Sequence, residues 1–428
     1  MIGPSLLSGT PSSRQARLFR SVLALATCSM LALSWPLWVG ASLYPRIPFV
    51  QPSPDLGMPI SWLLFGLLWV STLALVSERL WRGAAVVSLA MLTWLVLSDQ
   101  NRLQPWVYQY AVTVVALLTA PERWSLRLAR VFLIAFYFHS GLSKLDYAFA
   151  HEMGPTFLRA GTSLLGISTQ NWSETTLARL SLLMPAFEIA VSLLLIFRRT
   201  RRIGLVGAIG IHSALLGLLG PWGLDHSTIV LVWNGALILE DLLLFGPRPE
   251  PPKVELFPQK RRVPPVVLLV AVVVLMPFTE RWGYWDTWPS FAVYASHNER
   301  SDIYVWNVDL PRLPEVIRRH AYQDDKTRWS RIDLTGWSRE ERGVPPYPQS
   351  RTESAVGEWL AARFRLVHEV RVVHRPRANR WTGDRGTSPL TYGARETRLW
   401  NDRFWINAHP AGSPPPEARW GFGTEDAK

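Results

Sequence analysis

The chain has 428 residues, 48% hydrophobic and only 18% charged, with a formal net charge of +12, 22 Trp, 33 Pro and a single Cys. A globular domain carries about 25% charged residues, and here the apolar residues gather in 19–278 while 279–428 are polar and Arg-rich. That distribution excludes a single soluble domain, a disordered chain and a disulfide scaffold, and the lone Cys28 excludes dithiol redox chemistry and a CxxC metal site.

Crossing ~30 Å of hydrocarbon takes roughly 20 mainly apolar residues. In chain order, the candidate spans are Phe19–Leu43, Pro59–Val76, Gly83–Ser98, Pro105–Ala120, Val131–Leu145, Leu177–Phe197, Ile203–Gly220, Ser227–Phe245 and Val263–Phe278. The expected fold is therefore an all-α polytopic bundle of nine spans over residues 19–278, followed by a small α+β exterior domain over 279–410. For the first span the alternative is a cleaved signal peptide, with Arg14–Arg20 before the apolar stretch and Val39-Gly40-Ala41 after it.

Lys and Arg are retained on the cytoplasmic side of spans. One set of linkers holds seventeen of them: Arg14, Arg17, Arg20, Arg79, Arg82, Arg123, Arg127, Arg130, Arg198, Arg199, Arg201, Arg202, Arg248, Lys253, Lys260, Arg261 and Arg262. The opposite linkers hold five: Arg46, Arg102, Lys144, Arg159 and Arg179. The expectation is a multi-pass protein of the inner (cytoplasmic) membrane, with residues 1–18 inside and the C-terminal region outside. The positive charge then reads as an orientation signal, with no nucleic-acid partner.

In the exterior region, Asp302–Asp309 alternates and predicts a strand. Thr352–His368 places Ala355, Val356, Trp359, Leu360, Phe364 and Val367 at helical spacing and predicts an amphipathic helix. Glu369–His374 and Arg398–Ala408 read as further strands. Trp285–His297 follows the last span directly, so its aromatics read as interfacial anchors. Residues 411–428, with Ser413 and the prolines after it, read as a disordered tail.

Ionisable groups within a span are costly and are functional candidates. At ~1.5 Å of rise per residue, His139, Glu188 and His212 each lie about 14–15 Å from the Arg-rich boundary, near the midplane. Lys144 lies about 21 Å from it, in the outer third, where Asn234 and Gln109 also fall. Tyr137, Ser140, Gly141 and Lys144 share one helix face, while Lys144 and Asp146 point apart. The plain alternatives are a Lys that snorkels to the interface and a structural Glu–His hydrogen bond between helices. Asp99 and Asp225 read as loop residues. In an apolar pocket a Lys can act as a neutral base, and a Glu–His group can orient a ligand or relay protons. No metal site is expected. No P-loop, GxGxxG, HExxH or GxSxG in a supporting context is found.

Phe136–Asp146 (FYFHSGLSKLD) resembles a span of the vitamin K-dependent gamma-carboxylases and their bacterial relatives, the HTTM-domain membrane proteins. Asp99–Tyr110 (DQNRLQPWVYQY) is similar to that family's element between the third and fourth spans, and Glu188, the Arg198–Arg202 turn and His212 follow in its order. The resemblance covers roughly residues 15–280 and implies Lys144 as catalytic base. It also implies a lipophilic cofactor such as a quinone or another isoprenoid hydroquinone. Trp106 stands where the carboxylases have His, and Gln104-Pro105 replaces their Asn pair. A Gly-Leu-Ser-Lys run in a short span also resembles DoxX and MauE-type proteins, over part of the chain.

Together these readings predict an HTTM-like membrane protein, a quinone- or lipid-linked oxidoreductase or a carboxylase-like lyase, with a ligand pocket opening outward. Lys144, Glu188 and His212 are the expected catalytic residues. His139, Tyr137, Tyr108, Gln109, Asn234 and Trp106 are the expected ligand-binding residues, with membrane lipid and a lipophilic small molecule as partners. The alternative is a non-enzymatic scaffold presenting its exterior domain to an envelope protein, and a transporter is a third reading.

Overall fold

The computed structural model describes residues 13–51, 56–246, 265–323 and 327–413. The basic residues Arg248, Lys253, Lys260, Arg261 and Arg262, most of the N-terminal segment before Arg14 and the tail beyond Ser413 lie outside the described residues. The protein is mostly helical, with a small antiparallel sheet in its C-terminal region. Among the described residues, six helices are long and apolar enough to cross a membrane.

The bundle begins with α1 (Arg14–Leu33) and the short α2 (Trp35–Val39), then α3 (Gly57–Leu73), α4 (Trp81–Ser98), α5 (Pro105–Thr119) and α6 (Glu122–Lys144). It continues with α7 (Tyr147–His151), α8 (Met153–Leu164), α9 (Glu174–Ser181), α10 (Leu183–Ile196), α11 (Arg201–Leu219), α12 (Thr228–Phe245) and α13 (Pro265–Leu275). Over the described residues each predicted span falls on one or two of these helices, and proline interrupts three of them. Proline has no N–H for the carbonyl four residues back and its ring clashes there. Pro36 separates α1 from α2, Pro185 separates α9 from α10, and Pro277 ends α13 in a 3-10 turn over Met276–Trp282. Side chains cap several starts, as where Ser13 accepts from Ala16 N and Asp146 from Phe149 N, satisfying amides that have no partner in the first turn.

The C-terminal elements are β1 (Arg300–Trp306), α14 (Glu315–Arg318), β2 (Ala321–Gln323), β3 (Trp329–Ile332), α15 (Leu334–Arg342), α16 (Ser350–Arg363), β4 (Arg371–Arg375), β5 (Leu390–Tyr392) and α17 (Gly393–Asn401). The strands pair antiparallel in the order β2-β3-β1-β4-β5. In β1 the burial alternates, with Ser301, Ile303 and Val305 inside, as a sheet covered on one face requires. The cover is α16. A Cβ on its Gly357 would stand 2.6 Å from Val372 Cγ2, so a small residue lets helix and sheet meet.

Three expectations for this region need correction. Arg398–Ala408 is no strand: Arg398 lies in α17, and turns follow it. The amphipathic helix stops at Arg363, leaving Val367 outside it and exposed. The aromatics of Trp285–His297 are largely not interfacial. Trp288 and Phe291 are buried, Phe291 packing edge-on to Phe132 and Phe136 in the bundle core. Packing outweighs the belt pattern because this segment turns back into the bundle before the sheet begins.

Bundle and sheet share a seam. Tyr44 and Ile47, from the α2–α3 loop, are fully part of the sheet's hydrophobic core. The Glu341 carboxylate accepts from Leu43 N and Tyr44 N, at 2.9 and 3.0 Å, and Arg342 stacks over the Tyr44 ring. Gly343, at φ 73°, closes α15 against α1, where a Cβ would stand 2.9 Å from Leu33 O. Asp99, read from sequence as a plain loop residue, is buried and holds Ile47 N and Asn101. Asp225 is exposed, and its carbonyl accepts from Arg339.

The α4–α5 loop fastens the other side. Asn101 accepts from Tyr347 N, Gln104 donates to Pro345 O, and Gln100 accepts from Arg351 Nε at 2.8 Å. Arg351 also forks onto both oxygens of Asp286, at 2.8 and 2.5 Å. A two-pronged fit of this kind suits a guanidinium and not an ammonium. Arg351→Lys is therefore expected to lose about 1–3 kcal/mol, read as a lower thermal midpoint and faster proteolysis within 280–413.

Candidate functional site

The candidate site is a cavity of about 240 Å³ enclosed by α6, α10, α11 and α12. Its walls are mostly apolar, including Phe136, Phe157, Phe187, Leu218 and Trp233, with Tyr294 and Val293 closing one side. Five sequence-predicted residues line it: Lys144, Glu188, His212, Tyr137 and Asn234.

Their placement follows from helix contacts. Gly141 has no room for a side chain, since a Cβ would lie 2.7 Å from both Ile189 Cγ1 and Pro185 O. Small residues let membrane helices approach closely, and here the contact sets Lys144 of α6 opposite Glu188 of α10. Lys144 Nζ donates to Glu188 Oε1 at 2.7 Å and to Ser140 Oγ at 2.9 Å. The Lys144 side chain is 8% exposed, so it is paired inside the protein and does not snorkel. Glu188 Oε2 is buried with no hydrogen-bond partner. Gly141→Ala should force the helices apart, costing about 1–3 kcal/mol of packing and breaking the Lys144–Glu188 contact. Spectroscopic distances between labels on α6 and α10 would report that separation.

A second group lies on the same wall. Tyr137 Oη is 2.7 Å from His212 Nε2 and donates to Asp241 Oδ2 at 2.5 Å. His212 Nδ1 is 2.8 Å from Asn234 Oδ1, and Asn234 Nδ2 donates to Val230 O. Glu188 and His212 thus line one cavity without bonding each other, each having its own partner.

The remaining candidates stand elsewhere. Gln109 is one layer behind the wall, donating to Glu240 Oε2 at 2.6 Å and accepting from Trp233 Nε1 at 2.7 Å. His139 faces α13, with Nε2 2.8 Å from Val274 O and its ring against Phe278. Tyr108 packs on Phe132 and Phe291, and Trp106 on Trp38. The shared depth of His139, Glu188 and His212 therefore did not mean a shared face. The sequence reading also missed Glu240 and Asp241, two adjacent acids in the apolar run of α12. Their signal was present, but their nearness to the helix end hid it.

The mouth of the cavity lies between α10 and α11. Phe187, Gly210 and Ala214 line it and are also exposed, and a Cβ at Gly210 would meet nothing. The surrounding surface is apolar, with Leu183, Ile203 and Val206 each more than 60% exposed. The exposed part of the lining thus lies on an apolar face of the bundle.

The segment that closes one side of the cavity carries backbone strain. Phe291 and Tyr294 hold φ values of 59° and 64°, a left-handed conformation that costs bulky residues about 1–3 kcal/mol each. Just beyond the C-terminal end of α6 lies a charged cluster. His297 Nε2 is 3.0 Å from Glu280 Oε2, and its Nδ1 is 2.7 Å from Asp146 Oδ2, off the line of a hydrogen bond. Arg281 donates to Asp146 at 2.6 Å. Asp146 thus pairs away from Lys144, as the helix geometry predicted. Among the described residues, no group of three or more His, Cys, Asp or Glu is placed to hold a metal.

No family model, curated protein or solved structure matches the chain.

Proposed function

We propose that this chain is a multi-pass protein of the cytoplasmic membrane that binds a lipophilic, ionisable small molecule in the Lys144 cavity. In this reading all nine apolar helices cross the membrane, with the Arg-rich linkers inside and the sheet outside. The HTTM-like resemblance belongs to the same proposal. The observation that carries it is an ion pair, Lys144–Glu188, facing an apolar cavity whose mouth opens sideways onto exposed aliphatic residues. A ligand dissolved in the hydrocarbon can enter there without crossing water.

A hydroquinone or another isoprenoid phenol fits that chemistry. Lys144 donates to Glu188, so it becomes a base only after its proton passes along their 2.7 Å contact. That shift leaves a neutral amine beside a carboxylic acid, which an apolar site tolerates better than unpaired charge. The amine then takes the hydroxyl proton of the ligand, breaking an O–H bond and forming an N–H bond. Glu188 Oε2, unpartnered in the wall, is available as a further acceptor.

The test is titration of decyl-ubiquinol into the purified protein in nanodiscs, followed by the quinol's ultraviolet absorbance. Saturable binding with the red shift of an ionised phenol is expected, and Lys144→Met should remove that shift. Absence of binding by the unsubstituted protein, or an unchanged shift in Lys144→Met, would sink the reading.

A further inference from the structure

The feature the cavity reading leaves unused is the acid pair on α12, Glu240 and Asp241, 2% and 0% exposed. Among the described residues neither forms an ion pair with Lys or Arg. The ionisable group at ion-pair distance is His212, whose Nε2 lies 4.0 Å from Asp241 Oδ2. A buried carboxylate without a cation is costly, so its retention calls for another explanation.

The hydrogen-bond pattern supplies one, because it fixes which atoms donate. Asn234 Nδ2 donates to Val230 O at 2.8 Å, so Asn234 Oδ1 is an acceptor. His212 Nδ1, 2.8 Å from that oxygen, must then carry hydrogen. In the neutral ring this leaves the Nε2 lone pair facing Tyr137 Oη at 2.7 Å. The Tyr137 hydroxyl has one hydrogen and two neighbours able to accept it, His212 Nε2 and Asp241 Oδ2.

Two arrangements satisfy every contact. In the first, Asp241 is the acid: its O–H donates to Tyr137, and Tyr137 donates to His212. In the second, Tyr137 donates to the Asp241 carboxylate, and the imidazolium N–H of His212 donates to Tyr137. They differ by two protons moving one step in the same direction. The Asp241 O–H and the original Tyr137 O–H bonds break, a new Tyr137 O–H and a His212 N–H bond form, and no electrons leave the system.

We propose that Asp241, Tyr137 and His212 form a proton wire between the Arg-rich end of α12 and the Lys144 cavity. Asp241 sits one turn before the end of α12, where the carbonyls of Leu243 and Leu244 accept from Gln15 and Arg130. Its Oδ1 is buried with no hydrogen-bond partner, so Asp241 gains or loses its proton without breaking a contact at that oxygen. His212 is at the other end, in the cavity wall. The charged and titratable groups around the wire are Glu240 on α12, Lys144 on α6 and Glu188 on α10. The helix α1, packed along α12, carries Arg17 and Arg20, the latter bound to Glu78 and Leu75 O. The wire rests on the proposed cavity function only for its destination.

The test needs no ligand, so failure of quinol binding leaves it intact. In full-length protein in nanodiscs, infrared spectra across the neutral pH range should show a carboxylic C=O band that Asp241→Asn removes. His212→Gln should move the titration of that band by tenfold or more in proton affinity, and should have no effect in the Tyr137→Phe background. Such dependence on a third residue is the mark of coupling. As a second arm, Asp241→Asn keeps a hydrogen bond to Tyr137 but cannot release a proton, so the imidazole nitrogen shifts of His212 should lose their coupled titration. An effect of His212→Gln that is equal in both backgrounds, or a His212 titration untouched by Asp241→Asn, overturns the wire.

Discussion

Lys144→Ala is expected to cost about 3–5 kcal/mol of stability, because it leaves the Glu188 carboxylate as an uncompensated charge against apolar walls. The Lys144 and Glu188 side chains are 8% and 15% exposed, so water does little to screen the loss. Lys144→Met with Glu188→Leu removes both charges and keeps the volume, and that double variant should recover most of the lost stability. Denaturation in mild detergent, followed by helical circular dichroism, checks both. If the single variant loses no more than the double, the pair is not held as a buried ion pair.

The second large effect is expected at His297, wedged between Asp146 and Glu280. Burial alone would lower the His297 pKa, but contact with Asp146 and Glu280 outweighs it and raises the value above the ordinary 6.5. Burial likewise pushes Asp146 and Glu280 up, and His297 with the neighbouring arginines outweighs it, holding them below their ordinary 3.8 and 4.5. The His297 contribution is complete below pH 6.5 and fades as pH rises through its folded value. The carboxylate contributions are complete above pH 4.5 and fade as pH falls through theirs. All three act together between pH 4.5 and 6.5, so stability should peak there. His297→Ala should flatten the alkaline side and cost about 3–5 kcal/mol at the maximum. Thermal midpoints across a pH series would read both, and an identical profile for the variant would refute the assignment.

How much of this was legible beforehand depended on the length of each signal. The long apolar runs marked the helices, because a span must be apolar over many residues. The strands β2, β3 and β5, of three or four residues, are too short to show a period and went unseen. Lys144 was placed about one turn from Glu188 in depth, because depth was counted along the backbone at ~1.5 Å per residue. Helical side chains point back toward the N-terminus, and the Lys144 stem runs to Ser140, which brings Nζ to the level of Glu188. His139 failed in the opposite way: its depth matched, but its face did not. Asp99–Gln104 was read as a motif of the resemblance, yet in this fold its polar groups tie bundle to sheet. Composition alone does not separate a seam from a site.

The seam has a consequence for how the protein is made. Tyr44 N meets Glu341 across 297 residues of chain, and Tyr44 and Ile47 complete the sheet's core. The ribosome therefore delivers one part of that core long before the rest, and the early loop must wait exposed until α15 and α16 emerge. Residues 280–413 expressed alone would lack those two side chains and uncover Trp337, the partner of Tyr44. Such a fragment should aggregate, and it should be rescued when the α2–α3 loop is supplied as a separate peptide.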